Sequence, residues 1–62
     1  MDRELTEKVK NELALAEAKI LAAWSLSTPA QLPPELTRRI GKMHFQIRVL
    51  QDDITREQIK PQ

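Results

Sequence analysis

The chain has no cysteine, one histidine and one glycine in 62 residues, and each scarcity removes a class of function. Without cysteine no disulfide can staple so short a fold, and His44 alone cannot make a structural zinc site. A single glycine, Gly41, excludes most loops that cradle phosphates. Charge of one sign is missing too: ten Lys and Arg against nine Asp and Glu give a formal net charge of +1. No overall field therefore drives the chain toward nucleic acid or a membrane. Long apolar runs are absent. The richest stretch, Leu13 to Leu26, is interrupted by Glu17 and Lys19 and falls short of the ~20 residues that a membrane span needs. The start, Met1-Asp2-Arg3-Glu4, carries both signs of charge and no apolar run behind it, unlike a signal peptide. A cytoplasmic location without membrane contact is the expectation, and the lack of cysteine fits it.

What the chain does have is a regular apolar seam. Leu36, Ile40, Met43, Ile47, Leu50 and Ile54 recur at alternating spacings of four and three, the signature of one apolar face on a helix. A second helix must cover that face. The N-terminal half supplies it, with Leu5, Val9, Leu13, Ala16, Ile20 and Ala23 as its main stripe and Trp24 at the edge. Asp2 suits the N-cap, and Glu4 and Glu7 complement the helix dipole. Thr28, preceding Pro29, is expected outside the helical region and so stops the first helix at about Ser27. Thr28-Pro29-Ala30-Gln31 also reads as a capping box with proline at the first helical position, which predicts a short turn. Pro33 and Pro34 open the second helix and Pro61 ends it. The reading is a single domain, 1–62: a helix over about 2–27, a proline-rich connector over 28–33 and a helix over about 34–59. Matched lengths and a stiff connector make the fold all-α, an antiparallel two-helix hairpin. Gly41, inside the second helix at a cost of about 1 kcal/mol against alanine, is expected where the helices touch closely.

A hairpin this small buries too little to offset roughly 1.5 kcal/mol of conformational entropy per ordered residue. From Leu13 onward the first helix is apolar almost all round, more than one covering helix can shield. The expectation is therefore a homodimer forming a four-helix bundle, with Leu15, Leu21, Ala22 and Leu26 at the subunit interface. Phe45 and Val49 stand opposite the seam, bordered by Arg38, Lys42 and Arg56. Aromatic and apolar residues beside arginine suit a partner-binding patch, with burial in the dimer core as the alternative.

Chemistry is nearly absent from the pattern. No nucleophile has a base beside it, Asp52 and Asp53 diverge by about 100° on a helix, and His44 flanks the seam as an interface or surface residue. No enzyme, catalytic residue, metal or cofactor is expected. Arg38, Arg39, Lys42, His44 and Arg48 cluster in the first half of the second helix, a pattern that can track phosphates. Asp52, Asp53 and Glu57 in the second half oppose a duplex lying along it. The leading expectation is thus a small protein–protein interaction module of bacterial or phage type, an adaptor or regulator acting as a homodimer. A dimeric nucleic-acid-binding regulator and a co-chaperone of a secretion or assembly system are the alternatives. In size and outline the chain resembles the small plasmid copy-number regulators that dimerise into a four-helix bundle and bind RNA. It is similar in the same way to two-helix co-chaperones of type III secretion needles and to small phage regulators. These likenesses carry no motif, so no residue role is transferred.

Overall fold

The computed structural model describes residues 2–60. Two helices, α1 (Arg3–Ser27) and α2 (Pro34–Ile59), make up the fold. At the start of α1, Asp2 is the N-cap: its Oδ1 accepts from the Leu5 N–H at 2.8 Å, satisfying one of the donors a helix start leaves free. The Thr6 hydroxyl donates to the Asp2 carbonyl at 2.5 Å.

The connector differs from the sequence expectation. Thr28 is helical, with φ −70 and ψ −51, although it precedes a proline. The helical path runs on because the Ala30 N–H reaches the Leu26 carbonyl at 3.0 Å. It then closes as a C-terminal motif: Leu32 N–H donates to Ser27 at 3.1 Å and Gln31 N–H to Thr28 at 2.9 Å. This is the double bond pattern of a Schellman cap, with Gln31 at the left-handed position, φ 60, where glycine is usual. Thr28 to Gln31 therefore end α1 and do not start a new turn. Pro33 supplies the carbonyl that accepts from Leu36 and Thr37, at 2.9 and 3.2 Å, and Pro34 fills the first helical position, where its missing N–H costs nothing. At the far end the expected stop, Pro61, lies outside the described residues.

The helices pack against each other in antiparallel fashion. Lys10 meets Gln58 at 3.0 Å, Glu17 meets His44 and Arg48 at 3.4 and 3.6 Å, and Trp24 lies on Gly41. A Cβ at Gly41 would stand 2.9 Å from two atoms of the indole. The glycine is thus a close-contact position, and its φ is not positive.

Among the described residues no hydrophobic side chain is buried; the buried positions are Thr6 and Ser27. The molecule measures 48 × 16 × 10 Å with a radius of gyration of 14.6 Å, against about 10–11 Å for a compact domain of this length. Its accessible surface is 5264 Å², where the scaling for folded monomers of this mass gives about 4,100 Å². One layer of helices has no second layer to bury its apolar side.

Candidate functional site

The seam expected on α2 is split by the fold. Ile40, Ile47 and Ile54 turn toward α1 and are half-buried beside the half-buried Leu13 and Ile20 of α1. Leu36, Met43 and Leu50 lie exposed, Met43 at 53%. The reason is the helical phase. Residues seven apart keep one line along a helix, so the two sets form parallel ridges, and α1 covers one of them. On the other side of the contact the residues are polar: His44 and Gln51 from α2 meet Glu17 from α1, and Gln58 meets Lys10, all of them half-buried.

Glu17 organises this polar edge. Its Oε1 faces His44 Nε2 and Arg48 Nε, and the Gln51 amide, turned nitrogen-first toward the carboxylate, donates to Oε2 at 2.9 Å. The His44 side chain is 13% exposed, and its ring centroid stands 6.0 Å from that of Trp24, tilted by 35°. Further along, Gln58 accepts from Lys10 and donates to Glu7 Oε1 at 3.1 Å. These bonds saturate the polar edge internally: no buried side-chain polar atom among the described residues lacks a partner. Sequence periodicity did not place Glu17, Gln51 and Gln58 in the contact, because an apolar pattern search passes over residues that enter an interface in hydrogen-bonded sets.

No group of three or more His, Asp or Glu among the described residues is arranged to hold a metal ion, and no helix among them is long and apolar enough to cross a membrane. A shallow groove at the connector end is lined by Trp24, Thr28, Leu32, Pro34, Thr37 and Arg38, which places Leu32 and Trp24 together under the end of the hairpin.

The remaining surface is apolar and open. Phe45 is 65% exposed and Val49 39%. With Arg38, Lys42 and Arg56 they fall on the outer side of α2, and Arg56 is held by Asp53 at 3.6 Å. Leu15, Leu21, Ala22 and Leu26 on α1 are exposed as well, but they do not make one patch. At about 100° per residue, Leu21 stands roughly 120° round the helix from Leu15. A more continuous face lies between these. Val9, Ala16 and Ala23 adjoin Leu13 and Ile20 on the side away from Glu17, and Leu36, Met43 and Leu50 adjoin the isoleucines on the side away from Gln51. Because the helices are antiparallel, both sets come to the same broad side of the hairpin, opposite the polar edge. Comparison of the chain with family models, with curated proteins and with solved structures returns no match.

Proposed function

We propose that this protein is a non-enzymatic interaction module that works as a homodimer, a four-helix bundle presenting a second apolar patch to another protein. The observation carrying this reading is that the single chain leaves every apolar side chain among the described residues at least partly in water. Burial of apolar area is the main favourable term in folding, about 25 cal/mol per Å², and one hairpin cannot collect enough of it. Its surface exceeds that of a compact monomer by about 1,100 Å², somewhat more than the roughly 800 Å² per partner that a standard interface removes. A permanent partner supplies the deficit, and an exposed apolar surface suits binding.

Sedimentation equilibrium with thermal melting across a hundredfold concentration range tests the reading. A dimer mass and a melting temperature that climbs with concentration are expected, because folding and assembly are then one equilibrium. A folded monomer that melts cooperatively at micromolar concentration overturns it.

A second reading, a nucleic-acid-binding regulator, is favoured by one fact: Arg38, Arg39 and Lys42 have no acidic side chain in ion-pair range among the described residues. Binding measured at two salt concentrations separates the two. Phosphate contacts weaken steeply with salt, whereas apolar docking does not.

A further inference from the structure

We propose that the second copy docks on the broad face formed by Val9, Ala16 and Ala23 with Leu36, Met43 and Leu50, antiparallel to the first, α2 against α2, with the two connectors at opposite ends. This rests on the homodimer reading and names its seat and direction. The face is the one side where the ridges of both helices are apolar and unshared, and the opposite side is closed by the bonds around Glu17 and Gln58. The surplus of accessible surface, about 1,100 Å² over a compact monomer of this mass, exceeds the roughly 800 Å² per partner that a copy of the same chain would remove in a standard interface.

Charge order fixes the direction. Glu35, Arg39, Lys42, Asp53, Glu57 and Lys60 fall within about 60° of one another on α2, bordering the Leu36–Met43–Leu50 ridge on the side away from α1. Read along the helix their signs run negative, positive, positive, then negative, negative, positive. Reversing one copy against the other brings every charge opposite its counterpart: Glu35 faces Lys60 of the partner subunit, Arg39 faces Glu57 of the partner subunit, and Lys42 faces Asp53 of the partner subunit. All three pairs nest about one centre between Ile47 and Arg48. Among the described residues of one chain the ion-pair partners of Asp53 and Glu57 are Arg56 and Lys60, at 3.6 and 3.0 Å. Exposed pairs of that kind are weak and leave the carboxylates free to bridge.

The other two-fold arrangement keeps both connectors at one end and sets α2 against α1 of the second copy. The level of Trp24 beside Gly41 and of Lys10 beside Gln58 would then place Arg39 and Lys42 against the last turn of α1. That turn offers no carboxylate, and Asp53 would approach Glu12. Ala16 and Ala23 fit the proposed arrangement as well, since small side chains let the paired α1 backbones come close.

The chain has no cysteine, so crosslinking reads the geometry directly. Arg39→Cys and Glu57→Cys are made separately and treated with a short bismaleimide, each alone and as an equimolar mixture. The mixture is expected to give a crosslinked heterodimer, and each variant alone is expected to give little. Self-linking at position 39, or no link in the mixture while sedimentation still shows a dimer, overturns the orientation and leaves the homodimer reading standing. Met43→Lys is expected to raise the dimer dissociation constant about a hundredfold or more, since each subunit then brings an unpaired charge to a dry face, while Leu21→Glu leaves it unchanged. A dimer broken by Leu21→Glu and not by Met43→Lys overturns the seat. A folded monomer in the parent chain overturns this inference and the homodimer reading together.

Discussion

Gly41 and Gln31 are the residues at which the backbone and its neighbours leave least freedom. Alanine at Gly41 gains about 1 kcal/mol of helix propensity, but its Cβ would meet the Trp24 ring at 2.9 Å. Trp24 is 40% exposed and has room to swing outward. Gly41→Ala is therefore expected to shift tryptophan emission to the red with a net stability change of less than about 1 kcal/mol, propensity and lost packing largely offsetting. Unchanged emission would mean that the indole does not rest on Gly41. Gln31 holds a left-handed conformation with φ 60, which disfavours a residue bearing a Cβ. Gln31→Gly is expected to raise stability by about 0.5–1 kcal/mol. Loss of stability on denaturant titration would contradict the cap geometry.

For the two helices, much of the arrangement was legible and the burial was not. Asp2, Pro33 and Pro34 mark helix starts by their own chemistry, and the alternating apolar spacing requires helices whatever packs on them. A hairpin follows from two helices and a stiff connector. The expectation failed at Thr28, where the local proline rule yields to the bonds from Ala30, Gln31 and Leu32 that complete the cap. It failed again in treating six apolar residues of α2 as one seam covered by α1. A helix offers a neighbour a strip narrower than that seam, and His44, Gln51 and Gln58 took the other half of the contact, where Glu17 and Lys10 bond them. The ridge that does face α1 carries a testable load. Ile47→Ala is expected to cost about 2 kcal/mol or more, as a large-to-small change at a packed position. Lys60→Ala, which removes one exposed pair with Glu57, is expected to cost less than about 0.5 kcal/mol. Equal effects in urea titration would show that the isoleucine ridge is not where the hairpin gains its stability.

At the scale of the whole molecule, the two apolar sides of α2 have separate tasks in the proposed assembly. The Leu36–Met43–Leu50 ridge meets the second copy. Phe45 and Val49, roughly 120–160° further round the helix, stay outside the bundle with Arg38 and Lys42 beside them. An exposed aromatic next to Arg38, which has no carboxylate in ion-pair range among the described residues, suits an amphipathic partner segment whose acidic side the arginine steers and whose apolar side the ring anchors. The double change Phe45→Ser, Val49→Ser separates binding from architecture. Phe45 is 65% exposed and Val49 39%, and neither lies in the contact with α1, so replacing them is expected to alter stability by less than about 1 kcal/mol each. The dimer mass and the helical circular dichroism should be preserved, and the affinity for an acidic amphipathic helical peptide should fall tenfold or more. Dissociation or unfolding of the double variant would place Phe45 and Val49 inside the bundle. The division of the two faces would then be wrong, and the surface left for a partner would have to be sought on α1, where Leu15 and Leu26 stand exposed on the flank that the second copy does not cover.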